Sequence, residues 1–304
     1  MPYYESFVEA YPTIKELAQA EESEVLRLWQ GLGYYSRARN LHATAKYVAF
    51  ELNGSFPNTY RDIIMLKGVG PYTAAAISSI CFGELRPVVD GNVFRFASRF
   101  FNVKKDIGKA STRKYFEEKL TDFIHAKNPG AFNQAMMEFG SKICAPSPKC
   151  DECVFLLECE GKRRDNHLNL PVKEKKLKVK DRYFHYIVVN VGDKYLLKER
   201  DQKGVWAHLY DFPLLEGEIG EEDILKYVQE ELSDNFELSE ISIEFLHILS
   251  HQRIHAIFYG INLESFEIKN PKSFKGELYS KEEIVNLPKP KLIVNYFEQI
   301  GINS

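Results

Sequence analysis

Apolar positions recur at helical spacing up to about residue 143, then alternate with a period of two beyond residue 183. Thr13-Ile14-Lys15-Glu16 reads as a capping box that opens a helix after Pro12. Tyr35, Ala38, Leu41, Ala45, Val48, Ala49 and Leu52 share one helical stripe, which Gly54 ends. Further helical patterns cover roughly 59–66, 71–82, 92–101, 109–126 and 131–143, punctuated by Gly83, Gly108 and Gly130. In the second half, Tyr183–Val191 and Lys194–Lys198 read as strands around the hairpin pair Gly192-Asp193. Ile241–Leu249 and Arg253–Leu263 read as another antiparallel pair, and Glu221–Leu232 as one amphipathic helix. The pattern predicts an all-α part followed by a small mixed α/β part, without internal repeats.

Charge sharpens that division. The net charge of −3 conceals 28 Lys+Arg against 22 Asp+Glu in residues 1–182, and 12 against 21 in residues 183–304. The basic half is the candidate for a polyanionic partner. Residues 162–182 hold nine Lys/Arg, three acids and Pro171, a composition suited to a basic linker that could also meet phosphates. The expected domains are therefore 1–161, a linker at 162–182, and 183–304. No apolar run reaches the length of a membrane span, and the start lacks a secretory pattern. A cytoplasmic protein with reduced thiols is the expectation.

Four of the five cysteines, Cys144, Cys150, Cys153 and Cys159, are spaced Cys-x5-Cys-x2-Cys-x5-Cys. Cys81 stands apart in a helix and is expected to be a buried small apolar residue. Disulfides suit a cytosolic chain of this size poorly. Four thiolates can hold tetrahedral zinc or an iron–sulfur cluster. Zinc sites favour two Cys-x2-Cys knuckles, and one occurs here. A single compact loop donating all four ligands suits a cubane better, with zinc the open alternative.

Leu66-Lys67-Gly68-Val69-Gly70-Pro71-Tyr72-Thr73-Ala74 lies between two helical patterns. Its glycines permit a tight hairpin, and Pro71 pre-sets the next helix. Free N–H groups at that helix start would suit a DNA phosphate, although Gly-x-Gly alone is equally an ordinary helix turn. Val89-Asp90-Gly91-Asn92-Val93 places a carboxylate at the start of the following helix. Asp90 reads as an N-cap, or as a carboxylate aimed at a sugar carbon that turns cationic as a base departs. The two roles are compatible.

Taken with the four-cysteine loop, these segments resemble the helix–hairpin–helix DNA glycosylases that carry a 4Fe–4S cluster. The segments Trp29-Gln30-Gly31-Leu32-Gly33-Tyr34-Tyr35-Ser36-Arg37-Ala38-Arg39-Asn40-Leu41-His42 and Phe132-Asn133-Gln134-Ala135-Met136-Met137-Glu138-Phe139-Gly140 narrow the resemblance to MutY-type adenine DNA glycosylases. Gly204-Val205-Trp206, Leu209-Tyr210-Asp211-Phe212-Pro213 and His247-Ile248-Leu249-Ser250-His251 are similar to that family's Nudix-like C-terminal domain. Nearly the whole chain is covered.

The resemblance implies base excision repair: adenine opposite 8-oxoguanine, or guanine, is flipped out and its N-glycosidic bond hydrolysed. It implies catalytic roles for Asp90, Tyr72 and Asn92. It implies DNA contacts at Lys67, Gly68, Val69, Gly70, Tyr34 (a wedge in the base stack) and Arg37, and lesion reading by Ser250 with its neighbour His251. Cys144, Cys150, Cys153 and Cys159 would hold the cluster. His42 is expected to be packed or to face phosphate. The implied partner is duplex DNA carrying the mispair, bound by a monomer that joins the nucleoid when working. Tyr72 stands where endonuclease III-like glycosylase/lyases place a Schiff-base lysine, which makes that reading the weaker one.

Two features depart from the family pattern. The family's general-acid glutamate sits on a helix before the segment matching Pro2-Tyr3-Tyr4, and neither Glu5 nor Glu9 occupies that motif. Losing a general acid lowers a rate by roughly 10²–10⁴-fold, so an impaired enzyme is expected, with a non-catalytic lesion-DNA-binding protein as the alternative. Whether Met1 is the true start stays open. The first cysteine spacing is also one residue shorter than usual, in a loop with Pro146 and Pro148. A separate Nudix hydrolase activity is disfavoured, because Gln229-Glu230-Glu231 lacks the Arg-Glu-x-x-Glu-Glu core that would hold Mg²⁺.

Overall fold

The computed structural model describes residues 2–124, 127–174, 179–201 and 204–302. The chain separates into two compact units, one of Met1–Ala49 with Leu177–Ser304 and the other of Phe50–Lys176. The sequence-based division groups residues 1–49 with the rest of the helical half; here they cluster with the C-terminal part.

The chain opens with four helices: α1 (Pro2–Ala10), α2 (Ile14–Gln19), α3 (Glu22–Leu28) and α4 (Ser36–Lys46). The predicted capping box is present at α2, where Thr13 Oγ1 accepts the Glu16 N–H and the Glu16 carboxylate accepts the Thr13 N–H at 2.8 Å. Past Lys46 the predicted α-helix relaxes into a π-helical turn, Tyr47–Glu51. His42 is buried, as the packed reading expects.

The second unit contains α5 (Tyr60–Ile63), α6 (Pro71–Phe82), α7 (Gly91–Phe100), α8 (Ala110–Thr121), α9 (Pro129–Lys142) and α10 (Glu160–Arg163). α6 to α9 follow the predicted helical patterns closely, α5 fills part of the pattern over 59–66, and α10 lies outside the predicted patterns. Residues 125–126, at the end of the pattern over 109–126, lie outside the described residues. Val93, Phe94, Ala97, Phe116 and Leu120 form the core between α7 and α8. Cys81 is exposed, contrary to expectation. The buried residues of α6 are Ala74, Ala75, Ser78 and Ser79, and Cys81 stands beyond them at the end of the helix. The basic stretch that begins at 162 is packed rather than free. Arg99 donates to the carbonyls of His167 and Leu170, and the Ile107 N–H donates to Val172. Within that stretch 175–178 lie outside the described residues, and Lys180 already belongs to a strand.

The C-terminal part holds β1 (Lys180–Val191), β2 (Lys194–Glu199), β3 (Tyr210–Asp211), β4 (Leu214–Glu216), α11 (Glu221–Glu231), β5 (Glu237–Ile241), β6 (Phe245–Ile248), β7 (Gln252–Leu263), β8 (Glu277–Ser280), α12 (Lys281–Asn286) and α13 (Lys291–Gln299). The predicted β1–β2 hairpin turns at Gly192-Asp193. The predicted partner of β7 is split into β5 and β6, both antiparallel to it. β1 and β7 run parallel along twelve paired residues, from Lys180↔Gln252 to Val191↔Leu263. Successive β1 residues point to opposite faces, and both faces are covered. Ile187 and Val189 share one cluster with Ile224 and Val228 of α11, whereas Tyr186 and Val188 share another with Ile293 and Phe297 of α13.

The second of those clusters also takes in Leu17, Ala18, Val25, Leu26 and Ala38. That shared apolar burial is why the first 49 residues cluster with the sheet. Lys289 is the polar hinge pin of this junction. Its backbone N–H donates to Gln30 Oε1 at 3.0 Å, and its carbonyl accepts from the Tyr35 hydroxyl at 3.0 Å. Its fully buried ammonium donates to the carbonyls of Ile284 and Leu287. Burial pushes its pKa down to about 8. Because the unfolded chain holds this proton more tightly than the folded one, stability should rise with pH between about 8 and the ordinary lysine value. Denaturant titrations at pH 7 to 10 should show that rise in the wild type relative to Lys289→Met. A flat difference would mean that the two carbonyls hold the ammonium as well as water does.

Candidate functional site

In the second unit, the turn between α5 and α6 carries Lys67, Gly68, Val69 and Gly70. Gly68 takes φ +79°, and Gly70 is the N-cap before Pro71. α6 therefore begins at this hairpin with unpaired N–H groups, the arrangement that suits a phosphate. Tyr72, 41% exposed, follows directly, and its hydroxyl lies 3.8 Å from Met137 Sδ.

Asp90 caps α7. Its Oδ1 accepts the Val93 N–H at 2.7 Å and its Oδ2 accepts from Asn92 Nδ2 at 3.0 Å. The Asn92 amide is itself held, since its Oδ1 accepts from Arg95 Nη2 at 2.9 Å. Arg95 is anchored on the carbonyl of Cys144 (2.8 Å) and on that of Gly140. A Cβ at Gly140 would lie 2.7 Å from the Asn92 carbonyl oxygen, so α9 can approach α7 this closely only with glycine there. The extended run into Asp90 is fixed by the buried side chain of Asn133. Its Oδ1 accepts the Val88 N–H at 2.9 Å, and its Nδ2 donates to the Arg86 carbonyl at 2.8 Å.

One turn beyond Arg95, Arg99 serves the cysteine loop. Only 4% exposed, it donates to the carbonyls of Ala145 (2.7 Å) and Pro146 (3.1 Å), and its Nη1 lies 3.5 Å from Cys144 Sγ. Gly161 lets the chain pass over it, since a Cβ there would lie 2.3 Å from the Arg99 carbonyl oxygen. Cys144, Cys150, Cys153 and Cys159 all line one cavity, walled by Phe96, Phe100 and Phe155. Burial pushes the Cys144 and Cys153 thiols up, while the Arg99 guanidinium works against this at Cys144. Among the described residues no three His, Cys, Asp or Glu side chains converge on one ion position.

In the first unit, Tyr34 is 67% exposed and takes φ +50°, a left-handed conformation unfavourable for a non-glycine residue. Its hydroxyl meets Ser250 Oγ in a short hydrogen bond. The two residues line one cleft with His251, His247, Trp206 and Arg39. Arg37 places its guanidinium over the rings of Trp29 (5.4 Å) and Tyr34 (5.8 Å). Arg39 ties the cleft wall together by donating to the Ala207 carbonyl at 2.8 Å.

Residues 1–122 match the HhH-GPD superfamily of base excision DNA repair proteins, and residues 185–299 match a NUDIX domain. The chain is 31% identical over 298 residues to the adenine DNA glycosylase of Buchnera aphidicola subsp. Schizaphis graminum, covering 95% of this chain and 84% of that protein. The chain belongs to the adenine DNA glycosylase family. It is also 33% identical over 301 residues to the adenine DNA glycosylase of Buchnera aphidicola subsp. Baizongia pistaciae, covering 95% and 82% of the two chains. The structure of a thermostable thymine-DNA glycosylase superposes with a TM-score of 0.50 at 27% identity, over 54% of this chain and 76% of that one.

Several of the residues that the family resemblance singles out are brought together. Asp90 and Asn92 are joined by a hydrogen bond, Tyr34 and Ser250 by another, and the four cysteines by one cavity. Tyr72 shows no hydrogen bond to Asp90 or Asn92 in this adenine glycosylase fold; its hydroxyl faces sulfur. Arg95 and Arg99 escaped the sequence reading, and Asn133 entered it only as part of a family segment, without a role. Their signal was present: two arginines one turn apart on a mostly apolar helix, and an asparagine at a core position of α9.

No helix among the described residues is long and apolar enough to cross a membrane.

Proposed function

We propose that this chain excises adenine from duplex DNA where it faces 8-oxoguanine or guanine, acting as a monomer on chromosomal DNA. The observation that carries the reading is the Asp90 carboxylate, whose two oxygens are fixed by Val93 N–H and Asn92 Nδ2 at the N-terminus of α7. A carboxylate held in this way needs little reorganisation when positive charge develops at C1′. In the reaction the bond from C1′ to adenine breaks and one from C1′ to water forms. Water gives up a proton and the departing base takes one. Asp90 stabilises the charged sugar, Asn92 orients Asp90, and Tyr72 borders the flipped nucleotide. The hairpin Lys67–Gly70 holds backbone phosphate.

The four thiols support a 4Fe–4S cluster. All four surround one cavity, and a cubane takes one thiolate per iron, which tolerates a spread that a single tetrahedral ion does not. Cys144, Cys150, Cys153 and Cys159 would hold it, and once bound it cross-links the loop. The positive charge of Arg99 beside Cys144 fits an anionic cluster.

Tyr34, Ser250 and His251 are read as the lesion-reading group, with Arg37 keeping the Tyr34 ring in place. The Nudix-like domain is read as non-hydrolytic. The Glu231 carboxylate is already taken by Asn270 Nδ2 and Ser273 Oγ, both at 2.6 Å.

Single-turnover release of adenine from an 8-oxoguanine:adenine duplex tests the proposal. Binding without any release, even with enzyme in excess, would leave a lesion-binding protein instead. Ser250→Ala should reduce the preference for 8-oxoguanine:adenine over undamaged duplex by roughly 5- to 30-fold, the worth of one to two hydrogen-bond energies. Equal preference in variant and wild type, measured by competition binding, would remove Ser250 from the reading group.

A further inference from the structure

The cysteine cavity has a buried polar lining residue, His167, that the cluster reading leaves unused. It stands at 6% exposure, and its Nδ1 is buried without any hydrogen-bond partner. A buried ring nitrogen left unpaired costs about 1–3 kcal/mol, so native interiors rarely retain one. The backbone that carries His167 is held in place. Its carbonyl accepts from Arg99 Nε at 2.9 Å, the Leu170 N–H donates to the same carbonyl, and Asn166 donates to Asn102 Oδ1 at 2.9 Å. Backbone movement of the His167–Asn169 turn would break these bonds.

From this placement we infer that His167 Nδ1 donates a hydrogen bond to a sulfur of the cluster held by the four cysteines. The inference rests on the iron–sulfur reading above and adds to it a residue that sets the properties of the group. Imidazole carries a proton on Nδ1 in one neutral tautomer and always when charged. A cluster sulfur at the cavity is the acceptor that such an N–H lacks in the polypeptide. Arg99 reaches the same cavity through Cys144 Sγ, so the two side chains would serve neighbouring sulfurs. Hydrogen bonds to sulfur favour the more reduced, more negative cluster state and so raise its potential. His167 is thus a positioning and tuning residue, not a catalytic one.

The test uses the full chain. Iron and sulfide analysis of wild type comes first, with about four of each per chain expected. Zinc, or neither element, would sink the cluster reading itself. With the cluster present and brought by one-electron reduction or oxidation to a paramagnetic state, protein carrying ¹⁵N-histidine should show one nitrogen coupled to it in pulsed electron paramagnetic resonance. That coupling should vanish in His167→Phe, and the midpoint potential should fall. His167→Asn, whose amide N–H sits near the position of Nδ1, should recover most of the potential. A loaded wild type without histidine coupling would overturn the inference, and so would a His167→Phe protein with unchanged potential. Because the coupling is read in wild type, a variant that fails to fold does not spare the inference.

Discussion

Replacing Asp90 with asparagine is expected to slow adenine release by roughly 10²–10⁴-fold while leaving the fold and duplex binding intact. The two oxygens of Asp90 have separate duties. Oδ1 caps α7 through Val93, and an asparagine oxygen performs that duty nearly as well. Stability should therefore change by only a few tenths of a kcal/mol. Oδ2 accepts from Asn92 Nδ2, whose own oxygen is committed to Arg95. The new amide would turn a donor toward a donor, and it would carry no negative charge. The loss of charge removes the stabilisation of a cationic sugar, for which roughly 10²–10⁴-fold in single-turnover rate is the expected scale. Asp90→Ala should add to this a helix-cap loss of about 1 kcal/mol. If both variants kept wild-type rates, some other carboxylate would have to face the sugar.

This division of labour was half legible in the sequence. Asp90 declared itself through local chemistry, because a carboxylate before Gly91 and an amphipathic run is an N-cap by rule. The capping box at Thr13 and the Gly192-Asp193 hairpin were legible for the same reason: a few neighbouring residues fix them. What neighbours cannot encode was missed. The parallel pairing of β1 with β7 joins residues about seventy positions apart, and alternation within a strand is silent about its partner. The association of residues 1–49 with the sheet depends on which apolar surface covers Leu17, Val25 and Leu26, again a distant choice. Cys81 was misread because cysteine is usually buried, whereas at the end of α6, two turns beyond buried Ala74, it is exposed. Arg95 and Arg99 were passed over because helical arginines are usually solvated. Their value comes from backbone carbonyls of the cysteine loop, which have no signature in side-chain spacing.

Arg99 shows how much such a residue can carry. Its guanidinium donates to the carbonyls of Cys144, Ala145, Pro146, His167 and Leu170, so one planar group gathers both ends of the cysteine loop. Arg99→Met should leave the carbonyls of Ala145, Pro146 and Leu170 without this donor and remove the positive charge beside Cys144. Breaking a buried, multiply bonded charge typically costs about 3–5 kcal/mol. Arg99→Lys should rescue little, because an ammonium has three donors at a point where a flat fork reaches five acceptors. Hydrogen exchange is the direct readout. Amides of Ile143, Cys144 and Lys149, now bonded within the loop and to α9, should exchange at least 100-fold faster in either variant, the consequence of about 3 kcal/mol lost from the local opening energy. The amides of β1 and β7 belong to the other compact unit and should be unaffected. Protection in the loop that survives Arg99→Met would mean that the thiols and their bound group, rather than the guanidinium, hold it closed.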